Sequence, residues 1–401
     1  MVNPFVNDAI SYIKEIFYSC NLVELLNYTV IYSVDELIPY IEDQIKQDSI
    51  YAELCINKFD QLLPLALNHF FKFKLYLNVP ESTIFKTLIG CIRRNSHYSY
   101  PILELLQHIE LHLLTENELD LLFEPTKLID HSSCLNLLHQ QREQAEKITK
   151  IENKNVIKGF HDLRVIRGRK CQYDDKIFVI NGNECYIDID LKQQFLLNCI
   201  KLKLGKLPED QMSYTVLVSK DMHTWSPIID HSKHKCFGPQ LLYFNERPIR
   251  FIRIEACPFD YFNELCLHGN IEVLYSTDPM EIDPTTTFLI PQQTLLAKNL
   301  KLMSDNFHKT FPANDKYQGN DLIFQLPQPC IIDSMKLWFG GPTSYHIDIA
   351  ATEKWIRVFS ENEVIGWRYA TFKKQPVSYI KITSKAHNHV ISFEGFKFPA
   401  I

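Results

Sequence analysis

Residues 182–205 read GNECYIDIDLKQQFLLNCIKLKLG, and residues 319–340 read GNDLIFQLPQPCIIDSMKLWFG. Each opens on Gly-Asn, runs through a β-rich apolar stretch and ends on Leu-x-x-Gly. Working outward, SYTVLVSKDMHTWSPI (213–228) answers SYHIDIAATEKWIRVF (344–359), and RPIRFIRI (247–254) answers QPVSYIKI (375–382). The separation is 137 residues from Gly182 to Gly319, 130 from Trp225 to Trp355 and 128 from Pro248 to Pro376. It shrinks slowly, as expected if loops shorten while strands keep their order. A period near 130 exceeds the 20–50 residues of a solenoid repeat and matches one domain. The reading is a duplicated all-β domain of short, regularly spaced strands, a sandwich or barrel.

Before these repeats the period changes. Residues 1 to about 148 show helical spacing, as in Ala9, Ile10, Ile13, Ile16 and Phe17, or Val34, Leu37, Ile38, Ile41 and Ile45. The clearest helix is VPESTIFKTLIGCIRRN (79–95): Pro80 near its start, Ile84, Leu88 and Ile92 on one face, Arg93 and Arg94 at its negative end. Thr115 with Glu118 forms a capping-box pattern. The polar run QQREQAEKITKIENKN (140–155) reads as a helix end plus linker, and STDPMEIDPTTT (276–287) as the separator of the β repeats.

Bulk properties bound the function. The net charge of −6 argues against a nucleic-acid partner, which needs concentrated Lys and Arg. Eleven cysteines without CxxC pairs or repeated spacing read as free, buried thiols of a reducing compartment. The N-terminus lacks a secretory pattern and no run of 18 apolar residues occurs, so the expected location is cytoplasmic, without a membrane span.

Individual constellations are weighed against structural roles. Trp225 and Trp355 each follow a turn, and Ile252 and Ile380 stand in matching strands; all four read as core anchors. In RPIRFIRI the alternation places Arg toward water. Asp230, His231, His234 and Cys236 are metal-competent but share one short loop, and the reading takes them as loop residues: no metal and no cofactor. No G-x-S-x-G, H-E-x-x-H, P-loop or G-x-G-x-x-G occurs, so no catalytic residue is assigned and the chain is expected not to be an enzyme.

On these motifs the β repeats resemble discoidin domains, also called factor five/eight type C domains. They share G-N-x-x-x-x-[IFV]-x-[IL], a strand ending L-x-x-G, S-Y-x-[IV] with a Trp after the next turn, and [YF]-I-[RK]-I. The segment 79–95 resembles the most recognisable helix of a BACK domain. ELLNYTVIYSVDELIPYIEDQI (24–45) resembles the last two helices of a BTB domain, and AISYIKEIFYS (9–19) the stretch before them.

The resemblance implies a multidomain α plus all-β chain. Residues 1–47 are the BTB end, 48–145 a BACK-like helical domain and 146–158 a linker. Residues 159–277 and 288–401 are discoidin-like, galactose-binding-like antiparallel β-sandwiches, joined by a linker at 278–287. It also implies a cytoplasmic adaptor of the kind that presents substrates to cullin-three ubiquitin ligases, with cullin contact through residues 34–59. Most of the BTB segment is absent before Met1, so weakened cullin binding and a monomer are expected. The partner, an unknown protein, is expected at loops near 167–175, 205–212 and 234–240 and near 303–318, 339–344 and 362–368. Candidate contacts there are Arg167, Arg169, Tyr173, Lys206, His234, Phe237, Asp305, Phe307, Phe339 and Arg368. The rival readings are a carbohydrate- or phospholipid-binding module, favoured if Phe237 or Phe307 is an exposed loop tip, and a truncated regulatory form that binds substrate without recruiting cullin.

Overall fold

The computed structural model describes residues 11–12, 22–41, 58, 61–72, 79–160, 163–171, 176–178, 186–205, 211–257, 265–269, 271–278, 281–291, 301–304, 307–310, 317–319, 321–385 and 391–397. Among the described residues helices come first, and two separate sheets follow, the first of ten strands and the second of eight. Of the expected helix around Ala9–Phe17 only residues 11–12 are described, and both are helical.

The helical unit forms because apolar residues recur at turn spacing and share one core. In the helix Glu81–Arg94, Ile84, Phe85, Leu88, Ile89 and Ile92 are buried against Leu67, Phe70, Leu105 and Leu106. Each such side chain contributes roughly 1.5–3 kcal/mol by leaving water. Thr115 and Glu118 complete the capping box that the sequence predicts: Thr115 Oγ1 accepts from Glu118 N, and Glu118 Oε2 accepts from Thr115 N. The helix His131–Ala145 closes the unit.

Residues 146–158 are not a free linker. Ile148 and Thr149 already pair, in parallel, with Gln194 and Phe195 of the first sheet, and Asn153 N and Val156 N donate to Tyr275 O and Val273 O. In the 278–287 segment, Glu281–Ile282 pairs with Leu289–Ile290, and Leu289 pairs with Cys330 of the second sheet. Backbone groups in both connections find ladder partners, so each connection belongs to a sheet.

The two sheets share a register. Tyr214–Ser219 runs antiparallel to Gly238–Ala256, from Tyr214 opposite Ala256 to Ser219 opposite Phe251. In the second sheet Tyr345 stands opposite Ser384 and Ala350 opposite Tyr379. On the other side of the same central strands, Ile189 faces Ile252 and Phe324 faces Ile380. Thus Ile252 and Ile380, both fully buried, hold the same place between two neighbours. Gly238 and Gly366 also match: each begins the outer segment of its strand at positive φ, +60° and +76°, a conformation that strains an L side chain. The first sheet closes over Ile187, Leu197, Tyr214, Val216 and Ile254; the second closes over Phe324, Leu337, Tyr345, Ile347 and Ile382.

Candidate functional site

Charged groups that read as solvent-facing are in fact buried where the helical unit meets the first sheet. Asp188 and Asp190 sit in an apolar strand, Tyr186–Leu204, whose two faces are both covered. Arg164 Nη1 reaches Asp190 Oδ2 at 2.8 Å, and its Nη2 reaches Glu81 Oε2 at 3.2 Å. Arg250 Nε donates to Asp190 Oδ1 at 3.1 Å, and Arg250 Nη2 reaches both oxygens of Glu110, at 2.7 and 2.6 Å. Glu81 Oε1 accepts from Glu110 N at 2.7 Å. Glu81, at the helix start, therefore ties two units together. Burial by itself would push the Asp190 carboxyl up, but Arg250 and Arg164 overcome it and hold it below the usual carboxylate range. Burial lowers His112, whose Nε2 lies 3.4 Å from Arg250 Nη1. Arg253 is likewise spent inward, bidentate on Asp188 at 2.7 and 2.8 Å. Two of the three arginines of RPIRFIRI, Arg250 and Arg253, thus turn to buried carboxylates and not to water.

A second joint links the two sheets, and the 234–240 loop lies in it. His234 Nδ1 is 3.0 Å from Ala351 O and 3.2 Å from Ser378 Oγ, and its ring lies edge-on to Phe288. Gln325 Nε2 donates to Lys235 O at 2.9 Å; Phe237 N and Gln240 Nε2 both donate to Pro327 O, at 3.1 and 3.0 Å. Leu241 N donates to Gln328 Oε1 at 2.7 Å, and Gln328 Nε2 returns a bond to Leu241 O at 2.8 Å. Cys199, Tyr243 and Leu274 of the first unit are buried in the core of the second. Beside this joint, Pro227–Asp230, Lys233, His234 and Thr285–Phe288 line an open cleft of about 410 Å³.

Within this loop the metal-competent groups face different partners. Asp230 Oδ1 accepts from Ser232 N, and His231 Nδ1 lies 3.1 Å from Tyr214 Oη and 3.7 Å from Cys236 Sγ. His234 faces the second unit. Burial pushes His231 down to about 3 and the Cys236 thiol up.

The other expected contacts scatter. Tyr173, Lys206 and Asp305, and the side chains of Arg169 and Phe307, lie outside the described residues. Arg167 is half-buried, bonded to Tyr186 Oη and 3.6 Å from Asp188. Phe237, expected at a loop tip, and Phe339, expected in a partner-binding loop, are fully buried: Phe237 under the inter-sheet joint, Phe339 with its ring 4.5 Å from Tyr345. Arg368 makes a bidentate pair with Glu361, at 3.0 and 2.6 Å. The tryptophans depart from the core-anchor expectation. Trp225 is half-buried in a satellite cluster with Leu113, Ile166 and Phe251, its Nε1 donating to Met222 O. Trp355 stays 40 % exposed, with its ring 6.4 Å from that of Tyr379.

Sequence reasoning passed over an exposed aromatic stripe. Ile365, Trp367 and Tyr369 alternate on one face of the strand Ile356–Ser384, at 60, 42 and 54 % exposure. Trp338 stands opposite Trp367 and Lys336 opposite Tyr369; the Lys336 ammonium sits 4.8 Å from one ring and 4.7 Å from the other. The two-residue spacing of IGWRY was the available signal.

No family model matches the sequence. Over 366 residues it is 24 % identical to BTB/POZ domain-containing protein 9 of Homo sapiens, covering 79 % of this chain and 58 % of that protein. The same protein of Drosophila melanogaster is 21 % identical over 415 residues, covering 93 % of this chain and 56 % of the relative. The chain is similar to BTB/POZ domain-containing protein 9. It spans less than two thirds of the length of these relatives of BTB/POZ domain-containing protein 9. Among solved structures, a pectin binding carbohydrate binding module overlaps 26 % of the chain at 17 % identity and covers 80 % of that module (TM-score 0.21). CBM32-1 from a family 31 glycoside hydrolase of Clostridium perfringens overlaps 25 % at 15 % identity and covers 94 % of itself (TM-score 0.22). At those scores neither overlap bears on fold or ligand. No helix among the described residues is long and apolar enough to cross a membrane.

Proposed function

We propose that the chain is a non-enzymatic adaptor, in which a BACK-like helical unit and two discoidin-like sandwiches form one scaffold for a protein partner. The similarity to BTB/POZ domain-containing protein 9, spread over 79 % of the chain, carries this reading. The joints support it: four buried charges, Glu81, Arg164, Asp190 and Arg250, with the partly buried Glu110, fix the helical unit to the first sheet, and polar clasps fix the first sheet to the second. A scaffold with ordered joints displays its surfaces in defined places.

Recruitment of cullin three is a separable part of the reading. It rests on the resemblance of residues 34–59, of which 34–41 and 58 are described. The carbohydrate or phospholipid reading asked for an exposed Phe237 or Phe307; the Phe237 ring is buried, and the Phe307 side chain lies outside the described residues.

Affinity purification with the full chain, followed by titration of each recovered protein in purified form, tests the proposal. Saturable, sub-micromolar binding of a defined protein is the expected result. Binding to a glycan array or to anionic vesicles, with no purified protein bound, would replace the adaptor by the rival module. Titration with purified cullin three decides the ligase part alone.

A further inference from the structure

The cleft beside the joint between the sheets is built from two sides. One wall is the strand Ser226–Asp230, which ends the first sheet among the described residues. Ile228 is an extra residue in that strand: Ile229 stands opposite Val216 and Pro227 opposite Leu217. Such a bulge bends a strand and re-aims its side chains. The facing wall is the connection Thr285–Phe288. Thr287 sits there at φ +61°, which a β-branched residue rarely adopts. Asp283 Oδ2 fixes this turn by accepting from Thr286 N and Thr286 Oγ1, at 2.8 and 2.7 Å. The volume of about 410 Å³ falls within the range of small-molecule sites, about 300–1,000 Å³.

The polar groups of the cleft carry both signs. Asp230 and Lys233 are exposed and three residues apart, yet among the described residues they form no ion pair with each other or with any other side chain. Asp230 spends Oδ1 on Ser232 N, at 3.0 Å. His234 supplies a third group. Its Nδ1 lies 3.0 Å from Ala351 O, and a carbonyl only accepts, so Nδ1 carries the proton and Nε2 keeps its lone pair. Nε2 makes no hydrogen bond among the described residues and is not sealed from solvent. Burial holds His234 below its usual range, so the ring is neutral at neutral pH. Two acceptors, a carboxylate and an imidazole nitrogen, thus share the cleft with one ammonium and the exposed Thr285 hydroxyl. Pro227, Ile228 and Phe288 make the apolar part of the lining.

This combination selects the ligand. A simple cation meets Lys233, and a simple anion meets Asp230. A neutral apolar molecule leaves both charges unanswered. A molecule with an ammonium and a carboxylate on one carbon, and an apolar side chain, answers every part of the lining. We propose that the cleft binds a free α-amino acid with an apolar side chain. Its ammonium is held by Asp230 and His234 Nε2, its carboxylate by Lys233 and Thr285, and its side chain lies against Pro227, Ile228 and Phe288. The bound molecule ties the first sheet to the connection that leads into the second, a role beyond the adaptor reading.

The test is calorimetric titration of the full chain with L-leucine, L-methionine and L-phenylalanine, each also as its amide, which lacks the carboxylate, and as its N-acetyl form, which lacks the ammonium. Saturable binding of at least one free amino acid is expected, at least about tenfold tighter than either blocked form. Lys233→Gln should erase the preference for the acid over the amide and keep the preference over the N-acetyl form. Asp230→Asn, which retains the oxygen that Ser232 N uses, should do the reverse. A merely structural role for either residue would weaken all three forms alike. Urea midpoints equal to wild type show that the variants fold, and the wild-type comparison of free and blocked forms decides without them. No saturable binding of any free amino acid, equal binding of the blocked forms, or variants that keep both wild-type preferences overturns the proposal. Protein capture is decided by its own titration, so failure here leaves the adaptor reading in place.

Discussion

Gln328 clasps Leu241 by both backbone groups: Leu241 N donates to Gln328 Oε1 at 2.7 Å, and Gln328 Nε2 donates to Leu241 O at 2.8 Å. The amide thus stands in for one residue of a neighbouring strand. Replacing it by an apolar side chain of similar size leaves a partly buried N–H and C=O without their partner. Gln328→Leu should therefore cost about 1–3 kcal/mol. Urea unfolding should show the second sheet melting apart from the first, a separation absent in wild type. An unchanged, single transition would show that the clasp contributes nothing.

The charge cluster makes a larger prediction. Arg250→Met leaves Glu110 without its bidentate partner and halves the cover on Asp190. Stripping one partner from a buried ion cluster costs about 3–5 kcal/mol. The expected readouts are a lowered unfolding midpoint and faster amide exchange in Glu81–Arg94. Wild type carries its own pH signature here. Asp190 is held below the usual range, so its stabilisation is complete above the ordinary Asp value of about 3.9 and is lost as pH falls beneath it. Trp225 fluorescence, beside this joint, should hold steady above that value and change only in stronger acid.

His231 acts in a different window. Burial lowers it to about 3, so the folded chain keeps it neutral while the unfolded chain takes up a proton near pH 6.5. Stability should decline as pH falls from about 6.5 toward 3, by up to about 1.4 kcal/mol per unit. His234 and His112, also lowered by burial, add to the slope. His231→Phe should flatten the decline between those values, as followed by urea midpoints at successive pH. A slope identical to wild type would show that His231 does not titrate differently on folding.

The thiols sort by cover. Cys91, Cys134, Cys199, Cys236 and Cys330 are free and buried, whereas Cys257 and Cys266 are partly exposed. Burial pushes Cys199 up to about 12 and raises Cys236 and Cys330 as well. Iodoacetamide on the native chain should label Cys257 and Cys266 before any of the five, as read by mass spectrometry of peptides. Early labelling of Cys236 would indicate that the joint between the sheets opens.

Alternation and turn spacing located the strands around Ile252 and Ile380 and the helix that begins at Glu81, because local periodicity records which face is covered. Periodicity does not record what covers it. Asp188 and Asp190 alternate with isoleucines, and Arg250 and Arg253 look like a wet face; the carboxylates that pair with Arg250 and Arg164 include Glu81 and Glu110, far away in the chain. For the same reason the loop at His234–Gln240 looked free: its cover is Pro327, Gln328 and Ala351. The Trp367–Tyr369 stripe was passed over because Ala370 and Val364 beside it are apolar too, so the strand shows no clear polar side.

The helix Glu81–Arg94 lends Glu81 to a charge cluster whose Arg164, Asp190 and Arg250 belong to the first sheet. The helical unit and the first sheet therefore cannot be cut apart cleanly. A fragment that ends before Arg164 strips Glu81 of that guanidinium, and a fragment that begins after the helices leaves Arg164 and Arg250 short of carboxylates. Any shortened form of the protein keeps its fold best when residues 81–257 travel together.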